Sequence, residues 1–481
     1  MKGLEVGEVQ LSKTAENKDF RIDSAFYTTR LKRNAEIEYA KIGDCLLESQ
    51  YGVSIAMNED GIGYPIYRMN EIHSMLCDLC VDKYADVSSE EFETFKLNSG
   101  DVLFNRTNSY EWVGRTGVYY PNKDLTSMIF ASYLVRFVPD NTKINSEYLT
   151  VFLSCQYGIA ELRRRARQSI NQTNINPEEV KEIEIPLLST GLQKSIKDRF
   201  QNAHHLRLDA ESLYSAAETL LLSSLGMTNF VPSVENVSIK LLSESFGTTG
   251  RLDAEFYQRK YEEYLLHVIS YRFGTTLTKN VCDLVKSSFK KEKDSYPYIE
   301  ISDINVQDGT FTFNDIITEE LPANAKTRVI NGDMLVSKVR PYRGAVAIID
   351  KDIPDLIVSG AFTVLRSKKN YPRETLAVLF RTPIYRDWFL KWNVGTSYPV
   401  IKDEDILDMP IPLFPQSIHQ QIADDVRRSF ALRRESEQLL DSAKRAIEIA
   451  IEESEEAAIK WLCSETRSRV TTAVGSTTEI R

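Results

Sequence analysis

The chain has 481 residues, 27% charged and 42% hydrophobic, with a formal net charge of −10. That length exceeds one core, so two or three domains of ordinary globular composition are expected. No run of about 18 or more apolar residues is present, which argues against a membrane-spanning helix; six cysteines are too sparse for a disulfide framework, and the acidic balance by itself disfavours a phosphate-rich partner.

Met1 to Gly7 contain no apolar signal core, so a cytoplasmic protein is expected. The first unit spans 1–190. Phe20-Arg21-Ile22-Asp23-Ser24-Ala25-Phe26-Tyr27 lies near its start. Cys77-Asp78-Leu79-Cys80 follows, with His73 just upstream. A zinc site would need further ligands and a redox pair would need a thioredoxin-like βαβ setting; neither is in place, and buried thiols are the plainer reading. Gly100-Asp101-Val102-Leu103-Phe104 reads as a strand, and a polar loop follows it. Asn105, Arg106, Asn108, Ser109, Tyr110 and Arg115 in that loop suit phosphate oxygens and base edges: arginine can grip guanine with two bonds and asparagine can do the same to adenine. Tyr133 to Val138 alternates like a strand and stops at Pro139-Asp140-Asn141. A helix is expected over Ser146 to Arg167, ending in the basic run Glu161 to Arg167. After it, Arg167 to Ile175 is small and polar; Gln168 and Asn171 are candidates for DNA contact, although such a segment also suits a turn that caps the next element.

The strand Ile183 to Leu188 leads into a long helix over 191–227, with Leu206, Ala210, Leu213, Ala217 and Leu220 at coiled-coil spacing. The second unit, 228–415, then repeats the plan in the same order. Gly250-Arg251-Leu252-Asp253-Ala254-Glu255-Phe256-Tyr257 matches the first motif, Gly332-Asp333-Met334-Leu335-Val336 the central strand, and Met409 to Phe414 the proline-flanked strand. Lys338, Arg340, Tyr342 and Arg343 occupy the loop after the strand; Thr396, Ser397 and Tyr398 occupy the turn after an expected helix over Arg373 to Trp392. A second long helix is expected over 416–463, with Leu440, Ala443, Ile447, Ala450, Ser454, Ala457 and Trp461 as its seam, and a polar disordered tail over 464–481. The simplest arrangement pairs the two helices antiparallel as a rod; packing of each helix on its own unit is the alternative. Charge divides along the same lines: Lys326 to Arg343 carries five basic residues and one acid, whereas Arg434 to Glu456 carries eight acids and three bases. That distribution fits DNA on one surface and protein on another.

An ordered long-period duplication means two copies of one folded unit, and a shared frame with unlike polar loops is what reading two different half-sites requires. No Gly-x-Gly-x-x-Gly, Walker loop, Asn-Pro-Pro-aromatic sequence or nucleophile elbow is present, so a binding protein is favoured over a fused methyltransferase or nuclease. A duplicated scaffold that binds protein alone is the other competing class.

These residues resemble the specificity subunit of type I restriction-modification systems. The resemblance is carried by GDVLFNRTNSYEWVGRTGVY and IFASYLVRF in the first copy, and by GDMLVSKVRPYRGAVAII and IVSGAFTVL in the second, each followed by a proline-flanked strand and a helix start at Gln193 or Gln420-Gln421-Ile422. It implies an α+β fold with two tandem target recognition domains separated by two long conserved helices that form an antiparallel coiled-coil rod. It also implies double-stranded DNA as ligand and two methyltransferase subunits as partners, with restriction subunits joining in some systems. S-adenosylmethionine, ATP and magnesium would sit on those partners, with no metal, cofactor or catalytic residue in this chain. A helix of roughly 35 residues spans about 50 Å, so half-site centres about one DNA turn apart are expected.

Overall fold

The computed structural model describes residues 8–16, 21–23, 26–27, 32–73, 75–121, 127–170, 172–235, 237–368, 370–394 and 398–476. The chain divides into two compact units, one formed by Met1–Arg207 with Arg434–Arg481 and the other by Leu208–Arg433. Both are α+β. Among the described residues, no helix is long and apolar enough to cross a membrane.

The first unit is built on a six-stranded sheet in the order Leu46–Tyr51, Leu134–Pro139, Val102–Asn105, Thr116–Val118, Leu76–Cys77, Ile72–His73. Val102, Leu103 and Phe104 are each 0% exposed, because this strand is covered on both faces and therefore reads as a continuous apolar run. Gly100 enters it at φ +91°, a left-handed turn that glycine adopts without steric cost. The buried Asp101 carboxylate ties the turn together by accepting the Asn98 N–H at 2.8 Å, and Arg136 of the neighbouring strand lies 3.5 Å away.

The second unit repeats this in the order Cys282–Leu284, Phe362–Ser367, Asp333–Ser337, Val346–Ile348. Gly332 has φ +100°, Asp333 accepts the Ile330 N–H at 3.0 Å, and Arg366 on the adjacent strand reaches Asp333 at 2.7 Å. The duplication therefore extends to the turn, the buried carboxylate and its arginine. A small antiparallel pair is also repeated, Tyr39–Lys41 with Glu184–Pro186 and Thr275–Leu277 with Pro410–Pro412.

Two expected helices are interrupted. Ser146 to Arg167 divides into Ser146–Ser154 and Gln156–Arg165, because Cys155 is extended at φ −79°, ψ 168°. The break is packed tightly at Gly158, where an added Cβ would overlap the Phe152 carbonyl oxygen. Arg373 to Trp392 divides into Arg373–Arg381, Pro383–Trp388 and a 3-10 turn Phe389–Trp392. Pro383 lacks the N–H that an uninterrupted helix needs and forces Thr382 extended.

The first long helix is Thr190–Ser224, 35 residues. The second, Gln416–Glu452, has 37 residues and stops earlier than the expected 416–463. Ser454 accepts the Ala457 N–H at 3.2 Å and so caps a further helix, Glu455–Ser476. Helical backbone thus continues through 464–476, where a disordered tail was expected: no proline interrupts the run, and each added residue contributes one more backbone bond. Residues 477–481 lie outside the described set.

Within the first unit Ser436 Oγ donates to the Ala203 carbonyl at 2.7 Å; within the second, Ser429 Oγ donates to the Ala210 carbonyl at 2.7 Å. In the first unit the Ser189 N–H also donates to Glu455 Oε1 at 3.0 Å, so advancing from Ser189 to Ala203 retreats from Glu455 to Ser436, an antiparallel register. The buried line on the first long helix is Ala203, Ala210, Ala217 and Leu221, all 0% exposed, so the expected Leu206, Leu213 and Leu220 flank the seam while Ala210 and Ala217 lie in it.

Each unit packs a histidine of a long helix against an aromatic ring, His419 buried and His204 half-buried. His419 Nδ1 lies 3.1 Å from Thr375 Oγ1, and its ring is 4.5 Å from Tyr371. His204 is 4.6 Å from Tyr120. Burial pulls both imidazoles down to about 4. A depressed histidine lets the unfolded chain take up a proton first, at about pH 6.5. Stability is therefore expected to fall as pH drops from about 6.5 to about 4, these two groups adding no further loss below that. Thermal unfolding of His419→Gln against the parent checks this: the variant should lose less than the parent between pH 6 and 5, where carboxylates are still largely ionised.

Candidate nucleic-acid interface

In both units the loop after the central strand is hydrogen-bonded to the segment that follows the interrupted helices. The two segments that sequence placed far apart thus form one surface.

In the first unit Thr107–Asn108 pairs with Thr173–Asn174, which pairs with Arg167–Gln168. Thr107 Oγ1 donates to Asn174 Oδ1 at 2.6 Å, and the Ile175 N–H donates to the Arg106 carbonyl at 2.9 Å. On this platform Ser109, Tyr110 and Gln168 are exposed, while Arg106 and Asn108 are half-buried. The Arg106 guanidinium lies 5.2 Å from the exposed Tyr51 ring. Asn171 lies outside the described residues.

Two candidates do other work. Asn105 is 0% exposed, and its Nδ2 donates to the Met69 carbonyl at 3.0 Å, so it braces the strand end. Arg115 is stacked on Trp112 at 3.0 Å, and burial pulls its guanidinium down to about 10. The residues not anticipated are Tyr51, Trp112 and Arg163. Within the basic run, Glu161 holds Arg164 and Arg165 while Glu179 holds Arg167. Arg163 is exposed beside Tyr110 at 6.0 Å, and no carboxylate partner is found for it among the described residues.

In the second unit the Arg340 N–H donates to the Pro399 carbonyl at 2.8 Å and the Ile401 N–H to the Lys338 carbonyl at 3.0 Å. Val400 bridges to both Val339 and Val394. Arg340 is left-handed at φ +49°, and its guanidinium stacks 4.5 Å from the exposed Tyr398 ring. Tyr342 and Arg343 are exposed on the next turn. Lys338 is occupied: its Nζ lies 3.0 Å from Asp403, which also accepts from Thr363 Oγ1 at 2.6 Å. Thr396 and Ser397 lie outside the described residues.

The surfaces share a backbone plan and two arginines with a tyrosine apiece, and differ in what stands beside them: Asn108, Ser109 and Gln168 in the first, a second tyrosine, Tyr398, in the second. The first offers Arg106, Arg163, Tyr110 and Gln168; the second offers Arg340, Arg343, Tyr342 and Tyr398. Arginine and tyrosine over a hydrogen-bonded backbone suit phosphate and base edges together. The cysteine pair stays apart from this: Cys77 is buried, and burial pushes its thiol up, opposite to a reactive thiolate. Among the described residues no cluster of three His, Cys, Asp or Glu that could hold a metal is found.

Residues 36–210 and 277–438 match the family described as Type I restriction modification DNA specificity domain. The chain is 22% identical over 418 residues to the type I restriction enzyme MjaX specificity subunit of Methanocaldococcus jannaschii, covering 85% of this chain and 91% of that one. It is 24% identical over 212 residues to the type I restriction enzyme EcoKI specificity subunit of Escherichia coli, covering 44% and 42% respectively. A solved type I restriction-modification S subunit from M. genitalium aligns over 88% of this chain and 97% of its own, at 11% identity and a TM-score of 0.38.

Proposed function

Because the chain belongs to the type I restriction modification DNA specificity family, we propose that each unit reads one half of a bipartite DNA target and that the long helices carry the methyltransferase subunits that modify it. The chain is a DNA sequence-specificity subunit and is not itself an enzyme. Its partners are double-stranded DNA and the modification and restriction subunits of a type I complex. In this reading two methyltransferase subunits dock, one for each half-site. S-adenosylmethionine, ATP and magnesium reside on those partners, and the long helices set the distance between the half-sites.

The observation that carries the reading is the repeated platform of loop and turn with unlike side chains. One frame carrying two differing sets of side chains is what two different half-sites demand. The acidic Arg434 to Glu456 stretch supports a protein-facing role for the second helix, since acid there repels phosphate.

Co-expression of the chain with its methyltransferase subunits, followed by single-molecule methylation sequencing, tests this. A bipartite adenine-methylated motif is expected, and deletion of the chain should remove it. If active methyltransferase subunits give the same methylome with and without the chain, DNA reading is wrong and a protein scaffold remains.

A further inference from the structure

The motif that opens each unit, Arg-x-Asp-x-x-Phe-Tyr, has no part in the reading above, yet it is built identically in both. Arg21 Nε donates to Asp23 at 2.7 Å, and Arg251 Nε donates to Asp253 at 2.8 Å. The Tyr27 hydroxyl donates to the Arg21 carbonyl at 2.9 Å, and the Tyr257 hydroxyl donates to the Arg251 carbonyl at 3.2 Å. Each guanidinium also lies over the phenylalanine of its motif, at 4.7 Å for Phe26 and 4.6 Å for Phe256. A second cation from the nearby helical segment reaches the same ring: Arg164 at 4.9 Å on Phe26, Lys391 at 5.0 Å on Phe256.

The remaining N–H groups of the two arginines point to corresponding places. Arg21 Nη1 donates to the Arg165 carbonyl at 3.1 Å, at the last residue of the helix Gln156–Arg165. Arg251 Nη2 donates to the Asn393 carbonyl at 3.1 Å, directly after the turn Phe389–Trp392. Each acceptor is a carbonyl at or just past the end of a helical segment, and each lies within two residues of the platform strand or bridge that follows. The linkage continues inward. Arg21 reaches Glu179, and Glu179 holds Arg167 at 2.9 Å, the first residue of the platform ladder. Asn393 Oδ1 accepts the Val400 N–H at 3.0 Å, two residues past Tyr398.

Resting on the reading that each unit recognises one half-site, we propose that Arg21 and Arg251 are positioning residues: the aspartate-locked guanidinium fixes the end of the helical segment that leads into the recognition platform, and through it the platform's register. The planar fork suits this because one face can grip the carboxylate while another N–H stays aimed at the carbonyl. A lysine would keep the charge and lose that geometry. Base readout tolerates misplacement of about half an ångström, so a loosened anchor degrades discrimination before it unfolds a core made elsewhere.

The test uses the full complex with methylation sequencing on Arg251→Lys, Asp253→Asn and Arg21→Lys. Both second-unit variants are expected to lower discrimination at one half-site about tenfold, the sequence tolerated there widening while the other half-site keeps its bases. Arg21→Lys should do the converse. Urea unfolding of each variant accompanies it. Unchanged discrimination at both half-sites in an assembled complex overturns the proposal. So does loss at both half-sites with a lowered unfolding midpoint, which marks a plain folding role. A parent complex whose methylome ignores this chain removes the underlying reading, and the positioning role with it; a normal parent with parent-like variants removes the positioning role alone.

Discussion

Arg340→Ala is expected to erase most base discrimination at the half-site read by the second unit, by about ten- to a hundredfold, while the other half-site keeps its sequence. The expectation rests on how the side chain is presented. Its backbone is pinned by the bond to Pro399 and its guanidinium lies on Tyr398, so little freedom would be lost on meeting a base. Left-handed φ at a residue other than glycine costs about 1 kcal/mol or more. That cost makes Arg340→Gly an informative companion, since it removes the guanidinium and relieves the backbone. Discrimination should fall equally in both variants, while only the alanine keeps the strain. Lys338→Ala should behave differently. Its ammonium is held by Asp403, so the main effect should be a loosened loop rather than a missing DNA contact. Methylation sequencing with each variant separates these. Equal loss at both half-sites for Arg340→Ala would mean that it supports folding.

The contrast between Arg340 and Lys338 also shows where reading from sequence stops. Both are cations in one polar loop, and nothing local tells them apart; the partner that decides is Asp403, far along the chain. Asn105 is the same lesson in the first unit. Its residue type suggests a base edge, but the strand continues through it and buries it against Met69. What was legible was whatever repeats: the glycine-aspartate turn, the central strand, the proline-flanked strand and the order of all three. Repetition survives because both copies must solve the same packing problem. The helix break at Pro383 was also legible in principle, since proline forbids the bond. The break at Cys155 was not, because it depends on a backbone contact at Gly158 that only the packed structure defines. The platform itself was visible only as separate segments. Pairing Thr107 with Asn174 is a long-range event, and residue type alone does not specify it.

Ala203→Leu should be the most damaging single change on the long helices, costing about 2–4 kcal/mol in the first unit. Ala203 is 0% exposed, and Ser436 reaches its carbonyl at 2.7 Å, a bond that forms only if the helices approach closely. Three extra carbons have no room there, and overpacking of this kind costs about 1–3 kcal/mol. Pushing the helices apart also breaks the serine bond, worth about 0.5–1.5 kcal/mol. Ser436→Ala measures that smaller part alone, because the Ala203 carbonyl keeps its bond within the helix. Leu206→Ala, at a half-buried flank, should cost less than Ala203→Leu although it removes more apolar surface. That reversal of the usual order, small-to-large worse than large-to-small, is specific to an alanine seam. Urea unfolding of the full chain checks it, and co-purification with methyltransferase subunits should weaken in parallel, since a displaced seam moves the outer faces proposed for docking. If Ala203→Leu unfolds at the same urea concentration as the parent, the helices are not packed through their alanines, and the close antiparallel pairing on which the spacer reading depends is wrong.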